Sequence, residues 1–300
     1  MSFKPMKPQN VSLKNVSYSD LKKLGEHANV VYINYNKNQF YVKTPELVLP
    51  FDSGTMFADQ KNDQSGKYSI RVSLDNYLTE GHPDNAFYKM LMGLDEMNLG
   101  EAKKNSFNWF KKKTISEELL KEIYNPMVKF STDPDTGEQT GKYPPTFAFK
   151  IMQRDSLIQC KCYDGNARGK TVELNVNNKE EEDYLTLESL LKKKSKVKMI
   201  LRCNGIWFVG GKFGCTWRAD QIMITPAPGF DDCAFLEDSE DEIDEVVTKL
   251  DHFVDSDSDD EKVEQKEEVK EEEDESSSDE EPEPEPVKKK KVRKAKKAPN

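Results

Sequence analysis

Apolar residues along most of this chain recur at every second position, the period of strands buried on one face. Tyr68, Ile70, Val72 and Leu74 alternate with polar neighbours. Phe147, Phe149 and Ile151 do the same, as do Ile158, Cys160 and Cys162, and then Val197, Met199, Leu201 and Cys203. Residues 30–35 and 39–43 are rich in β-branched and aromatic side chains, with Asn36-Lys37-Asn38 as a turn between them. Asn204-Gly205 predicts a two-residue hairpin, and Gly210-Gly211 a further reversal before a strand over 213–224.

The period changes to that of a helix over 84–99, where Phe87, Met90, Leu91, Leu94 and Met97 share a face. Asp84 is placed to cap its start and Gly100 to end it. Thr114-x-x-Glu117 predicts a capping box for a second, short helix, and 184–193 a third before the last strands. Residues 131–145 read as a loop. Mostly antiparallel strands with inserted helices, no repeats and no βαβ alternation predict a mostly β body. A small β-barrel of the OB-fold kind suits it.

Charge divides the chain. Residues 231–286 hold 28 Asp/Glu and 4 Lys, a net −24, and residues 287–300 hold 8 Lys/Arg and no acid. The overall −10, less the tail's −24 and the tip's +8, leaves +6 on residues 1–230. Dense charge with few apolar residues predicts a disordered acidic/basic C-terminal tail, since it buries too little to offset its ordering entropy. The expected organisation is a flexible N-terminal arm over 1–27, a body over 28–230, the acidic tail over 231–286 and a basic tip over 287–300. Five cysteines without a Cys-x-x-Cys pair predict reduced thiols, and no apolar run is long enough to span a bilayer. A soluble intracellular protein with no membrane partner is expected.

Candidate chemistry points to binding and away from catalysis. Lys196, Lys198 and Arg202 fall on one face of a strand, and the following segment carries Trp207, Lys212, Phe213, Trp217 and Arg218. Cations that neutralise phosphates beside rings that stack bases are what single-stranded nucleic acid requires. Taken singly, either tryptophan of that segment suits the core better than a stacking role, whereas the basic face as a group points to nucleic acid. Trp109, Lys111 and Lys112 form a second aromatic-basic cluster, and Lys150, Lys161 and Tyr163 extend the basic surface. None of the three histidines has metal-ligand spacing, Cys160-x-Cys162 suits two inward strand positions, and Gly165–Lys170 lacks phosphate-loop spacing. No catalytic residue, metal or cofactor is expected. Serines 239, 256, 258 and 276–278 lie among acids, where phosphorylation would deepen the negative charge. The tip at 288–294 reads as a nuclear-localisation signal or a nucleic-acid patch.

The run from Gly205 to Ile222, through Trp207, Lys212, Phe213, Gly214, Trp217 and Gln221, resembles a signature segment of proteins from nucleocytoplasmic large DNA viruses. That group is similar to the OB-fold single-stranded-DNA-binding proteins of replication, including the phage type with an acidic C-terminal tail. The resemblance implies a non-catalytic protein that coats single-stranded DNA in viral DNA replication, recombination and repair. Its tail would contact polymerase or helicase, and homo-oligomers are compatible with it. It implies a place in the host nucleus or a cytoplasmic virus factory, with packaging in the virion compatible. The chain departs from the phage type in ending on basic residues and Asn300, and its body exceeds a minimal OB-fold. The alternative reading is an acidic-tail chaperone or scaffold for basic proteins such as histone-like or capsid components.

Overall fold

The computed structural model describes residues 4–25, 28–52, 56–59, 62–167 and 169–227, with the backbone alone for 56–59 and 62–64. The chain divides into two units, Met1–Ala234 and Phe235–Asn300, and every described residue lies in the first. The acidic tail and basic tip expected at 231–300 lie outside the described residues.

The first strands are β1 (Val16–Tyr18), β2 (Lys22–Lys23), β3 (Ala28–Val31), β4 (Ile33–Tyr35), β5 (Asn38–Gln39), β6 (Tyr41–Lys43) and β7 (Leu47–Val48). β8 (Met56–Asp59) and the long β9 (Asn62–Ser73) precede three helices, α1 (Pro83–Lys104), α2 (Ser106–Phe110) and α3 (Glu117–Ile123). Two short strands follow, β10 (Tyr124–Asn125) and β11 (Val128–Lys129). Then come β12 (Thr146–Arg154), β13 (Leu157–Ile158), β14 (Lys161–Asp164) and the single turn of α4 (Leu187–Leu190). The paired strands β15 (Lys196–Val209) and β16 (Lys212–Thr225) end the body.

Strand pairing closes on itself. β15 pairs with β16, β16 with β12, β12 with β9, β9 with β7, and β7 again with β15. That circuit is a five-membered barrel, the mostly β, OB-like architecture that the alternating pattern predicts. The inward positions supply its core: Ile70, Val72, Phe147, Phe149, Ile151, Val197, Leu201 and Trp217 are all buried. α1 lays Phe87 edge-on against Phe147, with ring centroids 5.3 Å apart. Its polar residues Asp95 and Asn98 are buried too, and they lock the helix to the sheet. Asn98 accepts from the Tyr18 hydroxyl (2.9 Å) and donates to that of Tyr124 (3.1 Å), while Asp95 accepts from the Tyr124 hydroxyl and from the Met127 backbone N–H (3.0 Å). Among the described residues, no helix is long and apolar enough to cross a membrane.

Several local expectations are corrected. Asn204-Gly205 makes no hairpin; β15 runs straight through it with a register shift between Cys203 and Gly205. Gly205 has φ +90°, and a Cβ there would sit 2.3 Å from the Val31 carbonyl oxygen, so glycine serves a bulge that lets β3 approach. The reversal falls at Gly210-Gly211, with φ +57° and +76°. α1 continues past Gly100 to Lys104, because Ala102 beyond it is still buried, and its cap is His82, whose Nδ1 accepts from the Asp84 N–H (3.2 Å). Ser116, not Thr114, caps α3 by accepting from the Leu119 N–H at 3.2 Å. The helix expected over 184–193 is reduced to Leu187–Leu190: Thr186 caps its start by accepting from the Ser189 N–H (3.2 Å), and Leu191, at φ −96° and ψ 56°, already leaves the helical region. Residues 4–25 of the expected N-terminal arm lie along the body: β1 pairs with β4, and Leu13, Val16 and Leu21 pack against the core.

Candidate nucleic-acid interface

Alternation turns one side chain in two of β9, β12, β16, β15 and β6 away from the core. Register aligns five of these positions in one row across the barrel: Ser69, Lys150, Arg218, Arg202 and Tyr41. On β9, Lys67 and Arg71 flank that row, both exposed. Lys129 of β11 and Lys212 of β16 complete a basic field. Lys129 is held below the ordinary lysine range by burial and by the charges of Arg71 and Lys212, against a weaker opposing pull from Asp95. Lys150 is lowered by burial and by Lys67.

What distinguishes this field is its lack of ion pairs: among the described residues, Lys67, Arg71, Lys129, Lys150 and Lys212 form none. Among the described residues, Arg71 Nη1 reaches only the Thr146 hydroxyl (3.4 Å), and Lys129 Nζ only the Asn125 side-chain carbonyl (2.6 Å). Like charges gathered without counter-charge hold a positive potential that attracts polyanions.

The remaining predicted cations are partnered. Arg218 donates to Asp220 Oδ1 (3.0 Å), Arg202 Nε lies 3.3 Å from Oδ2, and the Tyr41 hydroxyl donates to the same carboxylate at 3.2 Å. Arg202 Nε is misaligned for a hydrogen bond there and finds no other acceptor. Burial pushes the Asp220 carboxyl up and Arg202 opposes the shift. One acid therefore serves two guanidinium groups, leaving a net positive charge. Lys196 and Lys198 share Glu46 at 3.6 and 3.1 Å, and Lys161 lies 3.5 Å from Glu173. Lys111 and Lys112 are exposed where α2 ends, and Lys112 and Lys212 line the same groove.

The rings divide sharply. Trp217 is buried against Phe40 (5.3 Å) and donates to the Met127 sulfur at 3.0 Å. Phe213 is buried and stacked on Phe208 (5.8 Å, 7°), and Trp109 meets the same Phe208 edge-on at 5.4 Å. These three hold the core, and their faces are covered by neighbouring rings. Trp207 and Tyr163 are half-buried and reach the surface. Trp207 lies over Gly214, where a Cβ would be 3.4 Å from the indole, and its Nε1 is buried without a partner. The alternation of β9 already marks Lys67 and Arg71 as outward positions. Lys129 carries no such mark, because β11 is two residues long.

The chain belongs to a family of unknown function, DUF5871, whose model matches residues 84–237. No curated protein matches it. Among solved structures it is similar to gp2.5, a single-stranded DNA binding protein encoded by bacteriophage T7. That match has 13% identity over 73% of this chain and 100% of the other, with a TM-score of 0.37. It is also similar to the single-stranded DNA-binding protein from bacteriophage Enc34 in complex with ssDNA. There identity is 11% over 70% of this chain and 96% of the other, with a TM-score of 0.35.

Proposed function

We propose that the body binds single-stranded DNA without catalysis, through the outer face of β9, β12, β16 and β15. The observation that carries this reading is the group Lys67, Arg71, Lys129, Lys150 and Lys212, five cations with no acidic partner among the described residues. Phosphates supply the missing counter-charge, and release of their counterions makes the binding salt-dependent. Arg218, Arg202 and Tyr41 extend the track across the barrel, and Trp207 offers a half-exposed ring beside Lys212. Bases can reach such a ring only when they are unpaired, which favours a single strand over a duplex. Work in viral DNA replication, recombination and repair accords with the resemblance of the Gly205–Ile222 run. The tail and tip turn the body's +6 into an overall −10 and so oppose the approach of DNA at long range, and the acidic tail offers contacts to polymerase or helicase.

Titrating labelled oligo-dT and matched duplex against the full chain and against residues 1–230, at two salt concentrations, tests this. Salt-sensitive preference for oligo-dT, stronger in residues 1–230, is the expected result. A body that binds neither nucleic acid overturns the reading and leaves the tail, as a ligand for basic proteins, to carry the function.

A further inference from the structure

The basic field runs into a cleft of about 720 Å³, bounded by the loop after β7, by β9, by β11 and by the segment entering β12. Arg71, Lys129 and Lys193 supply its charge, Phe51, Phe130 and Tyr143 its rings, and none of its described lining residues is acidic. Phe51 is 58% exposed and Tyr143 62%, and Lys142 Nζ lies over the Tyr143 ring, 5.4 Å from its centroid, adding a fourth cation to the rim. Phe130 is half-buried and fixed edge-on by Tyr77 (6.4 Å) and Tyr88 (6.5 Å).

The backbone that carries these groups is tied down. Leu49 N–H donates to the Ser195 carbonyl and Lys194 N–H to that of Leu49, both at 2.9 Å, and Lys193 N–H donates to the Asp52 carboxylate at 2.8 Å. On the opposite wall, Leu74 N–H donates to the Pro145 carbonyl (3.0 Å) and Thr140 N–H to that of Ser131 (3.0 Å). A slot whose walls are positioned before the ligand arrives loses less entropy on binding.

We infer that this cleft is a nucleotide slot of the proposed interface, taking one unstacked base of a single strand against Phe51, Phe130 and Tyr143 and its flanking phosphates on Arg71, Lys129 and Lys193. The inference rests on the reading that the body binds single-stranded nucleic acid. Three cations with no acid among the described lining residues disfavour a cationic ligand, and three rings at the rim select a flat, π-faced one. The volume suits a group of nucleotide size. Position matters as much as chemistry. Arg71 pairs with Ala148, one strand step of about 7 Å for two residues from the Ser69–Lys150 pair, so a strand leaving the slot meets Lys150 next. A duplex has no free base to insert.

The test uses the full chain and three 12-mers: oligo-dT, the same backbone with every base removed, and oligo-rU. The unsubstituted protein is expected to bind oligo-dT more tightly than the abasic strand. In Phe51→Ala/Tyr143→Ala the oligo-dT affinity should fall about tenfold, while abasic binding stays within about twofold. An equal loss on oligo-rU assigns the slot to bases regardless of sugar, and a loss confined to oligo-dT assigns it to DNA. Tyr143→Trp adds a direct readout, since its fluorescence should be quenched by oligo-dT and not by the abasic strand. A double variant that binds oligo-dT like the parent, with no quenching in Tyr143→Trp, overturns the slot while leaving single-strand binding intact. If the parent itself ignores oligo-dT, the underlying reading fails instead.

Discussion

Two parts of one barrel surface treat their cations in opposite ways. At the start of β15, Lys196 and Lys198 both lean on Glu46, whose carboxyl is held below the ordinary glutamate range chiefly by its hydrogen bond to Lys198. Across β9, β11 and β12, the cations Lys67, Arg71, Lys129 and Lys150 crowd one another with no ion pair among the described residues. The first arrangement is a satisfied surface, in which exposed ion pairs contribute little and attract little. The second carries electrostatic repulsion that an anion would relieve. A count of lysines per strand face does not tell them apart; the partner does.

The largest expected effect breaks the comparison most directly. Arg71→Glu/Lys150→Glu should weaken oligo-dT binding about 100-fold at low salt. The slope of log affinity against log salt should shrink by about 1.4, the loss of two single-strand phosphate contacts. Lys196→Glu/Lys198→Glu changes net charge by the same amount. If both double variants lose affinity equally, only net charge matters and the two regions are one. Fluorescence anisotropy at three salt concentrations measures both quantities.

A second prediction concerns what holds the unpaired cations in place. Lys129 follows Met127, whose N–H, with the Tyr124 hydroxyl, is anchored on buried Asp95. Asp95→Ala leaves those donors without their acceptor and should destabilise the body by about 2 kcal/mol, read as a lower denaturant midpoint. Burial pushes the Asp95 carboxyl up to about 6, above its value in an unfolded chain. Between about pH 4 and pH 6 the unfolded chain has therefore released this proton and the folded body has not. Stability falls through that window as pH rises, by up to about 3 kcal/mol from this group alone. In Asp95→Asn that part of the slope should vanish. An unchanged slope would mean that Asp95 ionises as easily folded as unfolded.

How much of this was legible in the sequence follows from what each pattern encodes. Alternation in Tyr68–Leu74, Phe147–Ile151 and Val197–Cys203 records burial directly, and all three segments are strands of the barrel with those residues inside. Gly205 misled because a positive φ serves a bulge as readily as a turn, and the carbonyl of Val31 that decides between them belongs to another strand. The rings misled for a related reason. Trp217 and Trp109 are coded like stacking platforms, yet Phe40, Met127 and Phe208 cover them from distant segments, while Phe213 is covered by its own hairpin partner Phe208. The row joining Lys150, Arg218 and Arg202 depends on register between strands, which no local window contains. Glu46 and Lys198, 152 positions apart, meet only after the barrel closes.

That last pair yields the smallest and sharpest test. Glu46→Gln removes the acid and keeps the shape, so Lys196 and Lys198 become the same kind of unpaired cation as Lys150. Stability should hardly move, because all three side chains are substantially exposed and water screens their attraction. Oligo-dT affinity should rise by about twofold at low salt, and the gain should disappear near 0.5 M salt, where the Debye length is only about 4–5 Å. A small, salt-labile gain means the freed lysines add to the field without lying on the track of the strand. A gain of tenfold or more would mean that Glu46 covers part of the interface itself. The start of β15 would then belong to the binding surface, with an internal carboxylate competing for it as a phosphate would.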